Sequence, residues 1–77
     1  MRMRMRNKCY IEVHFGQAKW IATDCALTAR DMVLMLLASE HSPGSIRVRT
    51  GDDAVRSPKW AAVAEDIAKV TGVTYIH

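Results

Sequence analysis

The feature that most constrains this chain is MVLMLLA, an unbroken apolar run at residues 32–38. At about 100° per residue, seven such positions cover most of a helix circumference. A helix apolar nearly all round is expected to be buried on more than one side. The run is far short of the ~20 residues that a bilayer span needs. Its flanks carry helix signals. Thr28 is a candidate N-cap, with Asp31 three residues on to reach back to the cap and meet the positive end of the helix dipole. Leu27 and Met32 have the spacing of a hydrophobic staple. Glu40, His41 and Ser42 turn polar before Pro43 and Gly44 stop the helix. The spacing therefore predicts a central core helix over 27–42, with a sheet on one side and a second element on another.

With 77 residues the chain is expected to form one domain, over 8–77, behind a basic arm at 1–7. A chain of this size buries only about 60–65% of its unfolded surface, so stability is marginal. The apolar fraction of 49% suits a folded domain rather than a disordered one. No secretory signal, membrane span or repeat is apparent. The net charge of +3 is concentrated at one end. Arg2, Arg4, Arg6 and Lys8 supply four of the eleven basic side chains, which leaves seven against eight acidic ones in the remainder. The body is near neutral, and overall basicity is no argument for nucleic acid.

Period-two patterning marks the strands. Residues 8–15 alternate, with Cys9, Ile11, Val13 and Phe15 on one face and Tyr10, Glu12 and His14 on the other. Met3 and Met5 continue the apolar phase, so 1–7 reads either as a loose arm or as an upstream extension of this strand. Gly16-Gln17 reads as a two-residue hairpin turn. That turn pairs Phe15 with Ala18, Val13 with Trp20, and Ile11 with Ala22, which places Trp20 on the apolar face. It also sets Cys25 opposite Lys8, out of phase for a bond to Cys9. Two reduced thiols and a cytoplasmic location follow as expectations.

Residues 45–50 alternate again, with Ile46 and Val48 opposed to Arg47 and Arg49. Gly51-Asp52-Asp53 is a turn, and Ala54-Val55 either a short strand or a crossing segment. Ser57 is the N-cap and Pro58 the first residue of a second helix, which carries Trp60, Val63, Ala64, Ile67 and Val70 or Thr71 at core spacing and stops at Gly72. Val73 to Ile76 is a last strand. The order β-β-α-β-α-β predicts an α+β two-layer sandwich, a four-stranded mixed sheet with two helices on one face. The other sheet face is expected to carry Tyr10, Glu12, His14, Lys19, Arg47 and Arg49.

Catalytic signals are absent. The histidines and cysteines lack metal-ligand spacing, no glycine-rich phosphate loop occurs, and no base accompanies Cys25, whose place before a helix favours a lowered thiol pKa. No cofactor is implied. Two classes remain. Aromatics among Lys and Arg on a sheet suit single-stranded nucleic acid, although the aromatic signature of RNA-recognition sheets is missing. The same composition suits a protein interface.

The hairpin CYIEVHFGQAKWIAT, the helix TARDMVLMLLASEH and the unit SIRVRT with SPKWAAVAEDIAKVTG together resemble the small anti-CRISPR proteins of phages and mobile elements. The likeness is one of size and architecture over the whole chain, with no shared motif. It implies a non-enzymatic inhibitor that binds a protein subunit of a type I CRISPR effector, the Cascade complex. Such an inhibitor would block target DNA recognition or nuclease recruitment by steric occlusion. Members that mimic DNA are acidic. This chain is not, so the resemblance implies contact with an acidic protein patch or competition near the guide or target strand instead. The outward phase nominates Arg47, Arg49, Tyr10, His14, Lys19 and Arg56 as contact residues, on a monomer or weak dimer with no membrane attachment. The alternative is a small nucleic-acid-binding domain that uses the same face and the arm.

Overall fold

A computed structural model of the chain describes residues 8–77. The arm at 1–7 lies outside the described residues. The elements are β1 (Ile11–Phe15), β2 (Lys19–Thr23), α1 (Ala26–Ala38), β3 (Ile46–Thr50), α2 (Pro58–Thr71) and β4 (Thr74–Ile76), with single 3-10 turns at Pro43–Ser45 and Asp52–Ala54. The four strands make one mixed sheet in the order β2-β1-β3-β4. β1 is antiparallel to both neighbours, whereas β3 and β4 are parallel. α1 packs on β1 and β2, α2 packs on β3 and β4, and the helices touch each other. Both therefore cover the same face, in the expected α+β sandwich. β2, β3 and β4 all run one way, and each helix carries the chain from the end of one of them to the start of the next. The two helices are thus parallel to each other.

The core lies between the layers. Ile11 and Val13 of β1, Ile46 and Val48 of β3, and Ala29 and Val33 of α1 are fully buried, with Ala64, Ile67 and Ala68 of α2 beside them. Each buried Ile or Val contributes roughly 1.5–3 kcal/mol. Larger side chains, Phe15, Met32, Leu36, Leu37, Trp60 and Tyr75 among them, are partly buried around this centre.

The hairpin differs from the two-residue turn expected. Phe15 pairs with Lys19, His14 with Trp20, Val13 with Ile21 and Glu12 with Ala22. The loop is Gly16-Gln17-Ala18, with positive φ at Gly16 (60°) and Ala18 (59°). One extra loop residue shifts β2 by one position, and with a period of two that turns every β2 side chain to the other face. Trp20 leaves the core side for the open side, and Ile21 takes its place. Lys19 moves the opposite way, to the helix side of the sheet edge, where it is exposed.

Tyr10 also departs from its expected face. A bend there ends the alternation, and its ring packs on Trp60 of α2 at 4.8 Å. Cys9 correspondingly points to the Glu12 side, its Sγ 3.6 Å from Glu12 Oε2. The bend is held by a close approach. Gly51 N–H donates to Tyr10 O (2.8 Å), Asp53 N–H to Cys9 O (2.9 Å), and Cys9 N–H to Asp53 Oδ2 (2.7 Å). A Cβ at Gly51 would fall on the Cys9 carbonyl and 2.6 Å from its sulfur.

The N-cap of α1 lies one turn before the expected Thr28, and the helix ends four residues before 42. Cys25 occupies the N-cap with no side-chain cap bond, so the Thr28–Asp31 box does not form. Leu27 is exposed rather than stapled. Nor is the helix buried on two sides. Ala29 and Val33 are buried, with Met32, Leu36 and Leu37 packed against the core, while Leu34 and Met35 face outward. α2 follows its signals. Ser57 Oγ accepts from Trp60 N–H at 3.3 Å, Pro58 opens the helix, and Gly72 closes it in the left-handed conformation. Val70, a candidate core position, is exposed. Ala54-Val55 forms a 3-10 turn and its exit instead of a strand.

Gly51→Ala is expected to cost about 2–3 kcal/mol of stability through this overlap. Gly44→Ala, where a Cβ meets nothing within 4 Å, should cost under about 0.5 kcal/mol. Ala18→Gly should gain about 0.5–1 kcal/mol by relieving the left-handed backbone. Urea midpoints at constant slope measure all three.

Candidate interaction surface

The sheet face away from the helices is built by alternation across all four strands. One row runs Trp20, His14, Arg47, Thr74, and the next runs Ala22, Glu12, Arg49, Ile76. Among the described residues no helix or strand packs over these rows. Trp20 is 53% exposed, and its ring stacks on His14 at 5.9 Å with 20° between planes. Arg47 sits across from His14 on the other neighbouring strand, and its Nη2 donates to Gly16 O at 3.1 Å. That bond ties the cation to the hairpin loop and holds it beside the stacked rings.

Glu12 is the anchor of the second row. It is only 6% exposed, and its Oε1 lies 2.8 Å from His14 Nε2 and 3.6 Å from Arg49 Nε. A carboxylate so covered is stable only when paired, and here it orients an imidazole on one side and a guanidinium on the other. The charge of Glu12 is used inside the face. Arg47, with no acidic partner among the described residues, gives the outer surface its positive character.

Of the nominated contact residues, the structure brings His14, Arg47 and Arg49 together. Tyr10 packs beneath the sheet on Trp60. Lys19 belongs to β2 but to its helix side. Arg56 lies in the exposed turn before α2, off the sheet. Tyr75 of β4 pairs with Val48 and so belongs to the helix side as well. Trp20 is the exposed aromatic of this face that patterning missed. Its apolar character fitted the core phase equally well, and only the loop length decides between the faces.

The two cysteines are free and differ in environment. Burial pushes the Cys9 thiol up, and the Glu12 carboxylate adds to that shift. Cys25, exposed at the N-cap of α1, is held below the ordinary thiol range by the nearby Thr28 hydroxyl and then by the Thr28 N–H, although neither closes a cap hydrogen bond to its sulfur. No group of three or more potential metal ligands gathers among the described residues. No helix among them is long and apolar enough to cross a membrane. Comparison of the chain with known protein families, with curated proteins and with solved structures finds no match.

The thiolate is the reactive form, so a lowered pKa extends reactivity to lower pH. Alkylation of the folded protein by iodoacetamide should reach its half-maximal rate at Cys25 below the pH of a free thiol. Cys9 should reach it only above that pH, and should be the slower site at neutral pH. Peptide mass spectrometry over a pH series reads both rates.

Proposed function

We propose that the chain is a non-enzymatic interaction protein whose open sheet face is its recognition surface. The observation that carries this reading is Trp20, exposed on a flat face, stacked on His14 and one strand away from Arg47. Trp and Arg are the residues that most often dominate binding energy at protein interfaces. Here they are pre-positioned on strands, by the His14 stack and by the bond from Arg47 to Gly16, so little side-chain entropy is lost on docking. An acidic protein patch complements Arg47 and Arg49. In line with the resemblance to anti-CRISPR proteins, the partner is a subunit of a type I CRISPR effector in the bacterial cytoplasm. Inhibition would follow from occupation of the surface that target DNA or the recruited nuclease needs.

A second reading, a single-stranded nucleic-acid platform, is favoured by the same exposed indole. A base can stack on Trp20 while Arg47 and Arg49 hold phosphate. Against it stand the near-neutral charge of the body and the Glu12 carboxylate in the middle of the face.

The deciding experiment is affinity capture of the tagged chain from lysate containing a type I effector, with and without nuclease. Retention of effector subunits after nuclease supports the inhibitor. Subunits lost with nuclease, together with recovered nucleic acid, overturn it in favour of the platform. Trp20→Ala should weaken binding about 30-fold. Joint reversal of Arg47 and Arg49 to Glu should weaken it at least as much. If both variants bind like the parent, the sheet face is not the recognition surface.

A further inference from the structure

The sheet has two ends, and they differ. β4 closes one with three residues. β2 closes the other with five, and its outer side has no neighbour among the described residues. Backbone phase tells which of its groups are left open. Gly51 N–H donates to Tyr10 O, and Tyr10 is in step with Glu12 and His14 on the β3 side of β1. Ile11, Val13 and Phe15 therefore turn their backbone groups to β2, onto Thr23, Ile21 and Lys19. Trp20 and Ala22 are left with N–H and C=O aimed outward from the sheet. Natural edges are commonly blunted by proline, a bulge or charged side chains. KWIAT has only Lys19, at its start. Beside this edge α1 presents an uncharged stripe. Thr28, Met32, Met35 and Ser39 follow at i, i+4, i+7 and i+11, one line down the helix. Met32, Met35 and Ser39 join Leu36, His41 and Ile21, the one strand residue, around a pocket of about 150 Å³. The pocket thus lies level with the middle of β2, with Met35 64% exposed at its side.

We infer that the edge of β2 pairs with the same edge of a second copy, antiparallel about a two-fold axis at Ile21. The register follows from the open groups. Trp20 of each copy pairs with Ala22 of the other, and each pair exchanges both of its N–H···O bonds. Centring on Trp20 would instead pair Ala22 with Ala18, whose φ of 59° is not extended. Centring on Ala22 would pair Trp20 with Asp24, in the bend beyond the strand. On the open face the small Ala22 leaves room for the indole opposite it. On the helix side Ile21 meets Ile21, and the two apolar pockets come face to face across the axis. Charge agrees with the same geometry. Lys19 begins β2 and Asp24 follows its end, both exposed, so each Lys19 comes to the Asp24 end of the other copy. A parallel pairing would set Lys19 on Lys19. Of the other charges on this side, Asp31 is exposed about 100° round α1 from Met32, Glu40 follows the end of α1, and Lys8 precedes β1, one strand further in. None of them stands on the edge. The contact is isologous and joins the two four-stranded sheets into one. The open faces run together and stay uncovered, so two Trp20–His14–Arg47 units share one surface.

Sedimentation equilibrium of the full chain over a concentration series tests this, with no effector present. A monomer–dimer equilibrium is expected. Ala22→Pro removes an outward N–H that one chain does not use, at an edge position where proline is accepted, and should raise Kd at least about tenfold. Met35→Glu, at an exposed position, sets like charges on either side of the axis and should raise Kd by a similar factor. Crosslinking reads the register. In a Cys25→Ser background, oxidised glutathione should link Ile21→Cys to its own mate, found by peptide mass spectrometry. Lys19→Cys, about 13 Å along the strands from its mate, should not link. A monomer at all concentrations overturns the inference. So does a dimer that Ala22→Pro and Met35→Glu leave unchanged, which would place association elsewhere. Linkage through residue 19 as readily as through 21 overturns it as well. If Ala22→Pro fails to fold, Met35→Glu and the crosslinks decide.

Discussion

The turn at Gly16-Gln17-Ala18 is the constraint on which the surface of this protein depends. It accepts positive φ at two of its three residues, one of them an alanine, and in return holds β1 and β2 in a single register. Every side chain of β2 is assigned to a face by that register. Trp20 becomes a neighbour of His14, and Ile21 enters the space beside Val13. The loop is itself fastened to the face it creates, since its Gly16 carbonyl accepts from Arg47. Turn, stack and cation are one unit. Glu12 completes it from within, because a covered carboxylate shared by His14 and Arg49 fixes both of their orientations.

The two outer surfaces solve different problems. The sheet face is polar, with its charge arranged at defined positions and one aromatic standing clear. The helix face mixes the exposed Leu27, Leu34, Met35 and Val70 with the charges of Arg30, Asp31, Asp66 and Lys69. In a domain this small the interior is filled by short side chains, Ala29, Val33, Ala64 and Ala68 against Ile and Val of the sheet. Of the larger residues of α1, Met32, Leu36 and Leu37 pack around this centre, while Leu27, Leu34 and Met35 stand on the far side.

Much of the architecture could be read in advance where its causes are local. Ser57-Pro58 and Gly72 bound α2 because cap, ring and left-handed stop act within a few residues. The alternations of β1 and β3 are equally local. The failures come from choices that local rules leave open. Residues 15–19 satisfy a two-residue turn and a three-residue turn alike, and Trp20 suits either face, so patterning favoured the core. At the start of α1, the Thr28–Asp31 spacing fits a capping box one turn inside the helix that forms. Tyr10 leaves the sheet face because Gly51 and Asp53, some forty residues on, grip the backbone at Cys9 and Tyr10. Arg47 and Arg49 were legible because the phase of β3 has no such rival. Trp20, the centre of the candidate site, was hidden by a single residue of loop.

Placing the first strand in the middle of the sheet has a kinetic side. β1 finds β2 across three loop residues, a closure that takes microseconds. Its other flank must wait for β3, roughly 35 residues later in the chain, after the whole of α1 has been traversed. Until then the most deeply buried strand of the domain is a bare edge, rich in Ile, Val and Phe, of the kind that invites pairing with another chain. A growing chain therefore carries its most exposed hazard in its earliest structure, and only the arrival of Ile46–Thr50 removes it.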